Sequence, residues 1–256
     1  WTTNQELSKL SELGIPVDHG NFKKNTFIIS DFSSSDIELA RENGFKVDIL
    51  IEDVKSYYKS DAYQHQTIPK NENCDPNSGG SSYDPAVPDN FDLGSMAGFY
   101  TYQEFLDEVD EMANLYPNLI TPRAAVSDTL SHQGRSIYYM RISNDVTSLS
   151  TSKPRVLYSS ILHAREPGSL SQTIFYMWYL LENYGTDPEV TYLVDNTELF
   201  FVPMVNPDGY IQNVTNDPNG GGMHRKNMNP AIGTTNPGVD LNRNFGNQWG
   251  TTGVSG

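Results

Sequence analysis

The sequence predicts an α/β chain: a mixed, mostly parallel central sheet with helices on both faces, preceded by a smaller α/β unit. Three observations carry this. Residues 155–162 and 198–204 are short, β-rich and apolar nearly throughout, as strands buried on both faces are. Helix-length patterns at about 168–183 and 189–194 lie between them, and strands alternating with helices point to a sheet covered by helices. A stretch rich in Pro, Gly, Asn and Ser, from about residue 60 to 94, sets the first part of the chain apart. Three segments are therefore expected: a small α/β unit at 1–60, a linker at 61–96, and the main domain at 97–256.

In the first segment, Ser35, Asp36, Ile37 and Glu38 read as a capping box, whose hydroxyl and carboxylate satisfy the first free amides of a helix ending near Gly44. Residues 26–29 and 47–51 flank that helix as β-branched runs and predict strand–helix–strand. A unit of this size is marginal alone. The linker contains Cys74 and has no apolar periodicity. Thr101 and Glu104 then form a second capping box, with Phe105, Val109 and Met112 as one apolar stripe. Asp107, Glu108, Asp110 and Glu111 read as the solvated opposite face. Residues 124–126 and 136–142 predict a hairpin through the polar turn Ser131-His132-Gln133-Gly134. Asn206-Pro207-Asp208-Gly209-Tyr210 reads as a sharp turn after the last strand.

Composition narrows the function. Of 256 residues, 37% are hydrophobic and 19% charged, enough to bury a core and against a wholly disordered chain. Lys and Arg number 17 against 32 Asp and Glu, a net charge of −15 that repels phosphate backbones, so nucleic acid is not an expected partner. No apolar run approaches the roughly 20 residues of a membrane-spanning helix. The single cysteine excludes an internal disulfide and a Cys-rich zinc knuckle, and no His or basic cluster lies near Cys74 in sequence to lower its pKa. The chain opens at Trp1 without Met, so either a leader or the true start is expected to be missing, and the acidity with abundant Asn, Ser and Tyr makes an extracellular location the expectation.

The first chemical signal is His163-Ala164-Arg165-Glu166, directly after a predicted strand, where ligands gather beyond the strand's carboxyl end. An imidazole and a carboxylate three positions apart can reach one cation, and both bind zinc at about 2.0–2.2 Å. Taken alone, His-x-x-Glu arises often by chance, and a helix-entry pair bonded to backbone and solvent is the favoured reading. More follows downstream: the Asn206–Tyr210 turn, His224-Arg225-Lys226-Asn227, and Gly238-Val239-Asp240-Leu241-Asn242-Arg243-Asn244-Phe245. With these blocks in this order, and a 17-residue step from Arg225 to Asn242, residues 97–256 resemble the zinc carboxypeptidases of the funnelin type, the pancreatic-carboxypeptidase-like metallopeptidases.

The resemblance implies a carboxypeptidase fold and one zinc ion, with His163 and Glu166 as two of its ligands. It implies that Asp240 holds the ligand imidazole in the tautomer that faces zinc, and that Arg225 stabilises the tetrahedral oxyanion. Asn242 and Arg243 match the pair that grips a substrate's terminal carboxylate, and Arg165 a residue of the substrate groove. The implied activity is release of C-terminal amino acids from peptides or proteins by metal-activated water, in a monomer without nucleic-acid or membrane partners. The family's third zinc ligand, general-base Glu and capping Tyr lie beyond this last block, and no residue here stands at matching positions. The expectation is thus the front part of a longer enzyme, truncated at its C-terminus and with little activity of its own. The alternatives are a non-catalytic relative that binds peptides or cell-wall material, and a deacylase or endopeptidase variant. Residues 1–60 have no secure match and are expected to be a propeptide-like module.

The remaining candidates have plainer readings. His19, His65 and His132 are expected to be solvated, His224 matches no ligand position, and Lys226 reads as a surface charge. Asn213-Val214-Thr215 is a glycosylation sequon, relevant only in a host that glycosylates secreted proteins. Gly220-Gly221-Gly222 lacks the Gly-Lys-Ser/Thr that a phosphate loop needs.

Overall fold

The computed structural model describes residues 4–15, 17, 21–23, 26–58, 60, 86–220, 222–231 and 238–246. The chain forms two compact units that divide between Ala86 and Val87. Cys74, His19, His65 and most of the expected linker lie outside the described residues.

The first unit comprises helix α1 (Asn4–Glu12), the antiparallel pair β1 (Asn21–Lys23) and β2 (Phe27–Ile29), helix α2 (Ser34–Glu42) and the short helix α3 (Val54–Tyr58). Leu10, Ile15 and Ala40 form its small core, with Leu39, Phe45 and Val47 packed around them. Two expectations are corrected here. The capping box of α2 sits at Ser33 and Asp36, two residues earlier than read: Ser33 Oγ accepts from the Asp36 amide at 3.1 Å, and the Asp36 carboxylate accepts from the Ser33 amide at 3.0 Å. Residues 47–51 are not a strand, and Ile49, Leu50 and Ile51 are 47, 70 and 39% exposed. β2 pairs with β1 instead, because an antiparallel neighbour needs only a short turn whereas strand–helix–strand pairing needs a crossover.

The second unit contains helix α4 (Tyr102–Leu115), β3 (Ala124–Ala125), β4 (Tyr138–Ile142), β5 (Arg155–Ser159), α5 (Gly168–Asn183), α6 (Pro188–Asn196), β6 (Glu198–Val202) and α7 (Pro207–Asn216). A short 3-10 turn follows at Leu241–Arg243. The sheet order is β3-β4-β6-β5, with β3–β4 and β4–β6 antiparallel and β6–β5 parallel. The predicted α/β class and mixed sheet are therefore present, and the parallel character is carried by β5 and β6, which the α5–α6 crossover joins. Met140, Ile142, Leu199 and Phe201 on the sheet pack with Phe105, Val109, Met112 and Trp178 on the helices, each 0–1% exposed.

Helix α4 starts as its sequence predicts: Thr101 Oγ1 accepts from the Glu104 amide at 3.3 Å, and Glu104 accepts from the Thr101 amide at 2.7 Å. Thr101→Ala is expected to lower stability by about 1 kcal/mol in urea unfolding, the usual value of such a cap. A loss below a few tenths would show that Glu104 alone satisfies the helix end. The acidic face is less uniform than expected. Glu108 is half-buried and accepts from the Trp178 indole at 2.8 Å, and burial raises its pKa although that bond opposes the shift. Asp110 pairs with Arg123 at 2.7 Å.

Charge also enters the sheet. Arg141 on β4 and Glu198 on β6 form a buried pair, side chains 7 and 1% exposed, closed by bonds to the Ser148 carbonyl and Ser150 amide at 2.9 and 3.0 Å. These bonds fasten the loop between β4 and β5. The burial expected of residues 155–162 is not found for β5, where Val156, Leu157 and Tyr158 are 38, 64 and 36% exposed. β5 is one of the two edge strands of the sheet and has β6 as its single neighbour among the described residues. The Asn206–Tyr210 segment is also corrected: it is the first turn of α7, with Asn206 as N-cap and Pro207 at the first position, where its missing N–H does no harm. No described helix is long and apolar enough to cross a membrane.

Candidate metal centre

The parallel pair β5–β6 positions the site. Beyond β5, Ser160 donates to the Pro203 carbonyl and its amide to Val202, which keeps the two strand ends together. The chain then passes through Ile161 at φ 50°, a left-handed conformation that a β-branched residue adopts only under strain of about 1–3 kcal/mol. Ile161 is 1% exposed and its amide donates to Ser169 Oγ at 3.2 Å, so packing and hydrogen bonding hold the bend. His163, Ala164, Arg165 and Glu166 follow it.

His163 is 7% exposed, and both ring nitrogens face carboxylates. Nδ1 lies 2.9 Å from Glu166 Oε1, and Nε2 lies 3.2 Å from Asp240 Oδ1. Asp240 is 1% exposed and caps the Leu241–Arg243 turn, accepting from the Asn242 amide at 2.9 Å. Its other oxygen accepts from Arg225 Nε at 2.8 Å. Burial pushes the Asp240 carboxyl up, but the hydrogen bonds from His163 and Arg225 and the guanidinium charge outweigh it, bringing its pKa down to about 2. An ionised Asp240 accepts from Nε2–H, and Nδ1 is the ring nitrogen that faces Glu166. A ring nitrogen and a carboxylate oxygen 2.9 Å apart can share a proton or sit as two donors on one cation. Both donors suit zinc at about 2.0–2.2 Å, so the pair fits two positions of a zinc site. Among the described residues no group of three or more His, Cys, Asp or Glu converges on one point, whereas catalytic zinc takes about three protein ligands.

Arg225 is 6% exposed, and its Nη1 is 3.9 Å from Glu166 Oε1. The structure thus places Glu166 and Asp240 on the two nitrogens of the His163 ring, with Arg225 bonded to Asp240 and beside Glu166. Asn242 and Arg243 are attached to that group through the Asp240 cap. The Asn242 side chain is exposed, while Arg243 is part-buried and donates from Nη1 to the Asn242 carbonyl at 2.8 Å. Arg165 is part-buried on the His163–Glu166 turn.

Several residues that the sequence reading passed over support the site. The Asn206 amide nitrogen donates to the Leu162 and Lys226 carbonyls at 3.3 and 3.0 Å. Asn213 clamps the backbone of His224, donating to its carbonyl and accepting from its amide, both at 2.8 Å. This sequon asparagine is 5% exposed with both amide groups engaged, so the folded chain offers no glycan acceptor there. Asn227 Oδ1 accepts from the Val239 amide at 2.7 Å. Gly238, at φ 111°, lies where a Cβ would come within 1.8 Å of the Asn227 carbonyl, so only glycine lets these backbones approach. Lys226 is not a surface charge as expected but only 9% exposed. His224 is part-buried with a pKa lowered by burial, and its ring faces the Asn227 carbonyl at 3.3 Å. The sole sequence hint was the density of Asn and Gly here, residues whose side chains or φ freedom serve backbone joints.

An imidazole and a carboxylate thus stand at a strand end beside a buried guanidinium. The chain belongs to the zinc carboxypeptidase family, whose model matches residues 105–256. It is 31% identical over 170 residues to a zinc carboxypeptidase of Saccharothrix mutabilis subsp. capreolus, covering 66% of this chain and 37% of that protein. It is 26% identical over 239 residues to metallocarboxypeptidase A of Arthroderma otae, covering 92% of this chain and 54% of the relative. Among solved structures it is similar to carboxypeptidase A from Helicoverpa armigera, with a TM-score of 0.51, 34% identity, and coverage of 63% of this chain and 37% of that one. The chain therefore spans about a third to a half of the length of these relatives.

Proposed function

We propose that this chain carries the part of a zinc carboxypeptidase site that binds the metal's first ligands, the oxyanion and the substrate's carboxylate, in an enzyme that removes C-terminal amino acids from peptides. The carrying observation is the shared use of Asp240. One carboxylate fixes both the imidazole that faces Glu166 and the guanidinium beside it. His163 and Glu166 would hold zinc, which when bound polarises the scissile carbonyl and lowers the pKa of its water to about 7.

The chain's own residues divide the remaining work. Arg225 stabilises negative charge that develops on the scissile carbonyl oxygen, and its bond to Asp240 keeps it oriented beforehand. Asn242 and Arg243 grip the free carboxylate, a task for which the planar guanidinium is suited by its paired donors. Arg165 contributes to the groove ahead of the scissile bond. A binding-only relative has no use for a metal pair, an oxyanion cation and a carboxylate anchor together, and a blocked or internal substrate offers the anchor no carboxylate. We read residues 1–60 as a propeptide-like unit, supported by their own small core and by the Arthroderma otae alignment, which reaches into them.

The test is hydrolysis of a peptide with a free C-terminus by the full-length protein, compared with the same peptide amidated. Release of the terminal amino acid from the free peptide, abolished by a chelator and restored by zinc, is the expected result. Equal cleavage of both peptides would remove Asn242 and Arg243 from the assigned role. No cleavage of either would favour the binding-only alternative. Residues 1–256 alone are expected to bind zinc weakly in a calorimetric titration, with the signal lost in His163→Ala, because only two donors converge among the described residues.

A further inference from the structure

The two halves of the site sit on segments far apart in sequence, and something must fix the gap between them. His163 and Glu166 follow β5, while Arg225 lies in an extended segment after α7. One backbone bond spans the gap directly, from the Ala164 amide to the Arg225 carbonyl at 3.0 Å. The Asp240 carboxylate joins the side chains of His163 and Arg225, and one further side chain joins the backbones that carry them. Asn206 is 2% exposed, and one of its amide hydrogens goes to the Leu162 carbonyl, just before His163, and the other to the Lys226 carbonyl, just after Arg225. Its oxygen accepts from the Gly209 amide at 3.1 Å and caps α7. Every hydrogen-bonding group of the carboxamide points at a different element. Gly209 closes the joint from below: a Cβ there would lie 2.4 Å from the Lys226 carbonyl and 2.9 Å from the Ala164 methyl.

We propose that Asn206 is a positioning residue, setting the distance of the Arg225 guanidinium from the His163–Glu166 pair by bridging the backbones that carry them. The catalytic consequence rests on the reading of Arg225 as the oxyanion donor; the bridge itself does not. Helix capping alone is the competing explanation, and the two separate chemically. Asn206→Asp keeps the oxygen that caps α7, since Asp is as good a cap as Asn. It replaces the donating nitrogen with an oxygen facing two carbonyls, so both bridges are lost. Asn206→Ser also keeps a capping oxygen and adds no charge, and it decides the matter if the Asp variant fails to fold.

The first measurement is amide hydrogen exchange by NMR in residues 1–256. Exchange at Ala164 is expected to accelerate about tenfold or more, the usual weight of one or two bonds to a buried carbonyl, with Gly209 and Tyr210 unchanged. The second is steady-state kinetics in the full-length protein, where kcat should fall at least tenfold with KM little altered. Unchanged exchange at Ala164, or equal acceleration at Ala164, Gly209 and the β6 amides, would overturn the proposal. So would an unchanged kcat in an active enzyme. A wild-type protein without peptidase activity would sink the functional reading instead, and the exchange result would still decide the bridge.

Discussion

Arg225→Ala in the full-length protein is expected to lower kcat by about 10²–10³ while leaving KM nearly unchanged, the pattern of a group that acts on charge present only in the transition state. The geometry supports that magnitude. The guanidinium is 6% exposed, so it acts where water screens little, and its Nε is already committed to Asp240 at 2.8 Å, so little reorganisation is left for the reaction. Nη1, 3.9 Å from Glu166, stands next to the His163–Glu166 pair. Arg225→Lys should recover only part of the loss. An ammonium keeps the charge but cannot hold Asp240 with one nitrogen and present another in a fixed fork. Arg243→Ala should behave differently, raising KM for free-acid peptides and leaving amidated ones unaffected. If Arg225→Ala turned over at the wild-type rate, the guanidinium would be a structural partner of Asp240 and no more.

How much of this was legible in the sequence differs between elements. The apolar stripe Phe105, Val109 and Met112 is visible because helix period alone fixes it, and all three are buried as read. Helix α5, Gly168–Asn183, was placed to the residue for the same reason. The strand at 47–51 was misread because β-branched composition reports a preference, while pairing depends on which edge is nearer. Glu108 was misread because its partner, the Trp178 indole, is 70 residues away in sequence. Motif spacing proposed His163, Glu166, Arg225 and Asp240, and the structure brings all four together. The joints were not legible. Asn206, Asn213 and Asn227 act through backbone carbonyls and amides, whose positions depend on the fold rather than on residue type.

Asp240→Ala should be the most damaging single change to stability, at about 3–5 kcal/mol, the typical result of removing one partner from a buried charge pair. Three donors converge on this carboxylate, from His163, Arg225 and the Asn242 amide. Deleting it leaves a guanidinium 6% exposed without its main counter-charge and uncaps the Leu241–Arg243 turn. Asp240→Asn keeps the volume and one acceptor oxygen, so it should fall between wild type and Ala. It still loses a donor–acceptor match, since an amide N–H would face either Arg225 or His163. The same carboxylate predicts an acid dependence. Its folded pKa, about 2, is depressed below the usual value of 3.8, so the folded state binds the proton less readily than the unfolded chain. Its contribution is therefore complete above about pH 4 and is lost as pH falls toward about 2, for a total near 2 kcal/mol. Urea unfolding of wild type and Asp240→Asn at pH 5 and at pH 2.5 measures both effects. The stability difference between the two proteins should narrow at the lower pH. A gap that stayed constant would mean that Asp240 holds its partners by shape and hydrogen bonding, with its charge contributing nothing.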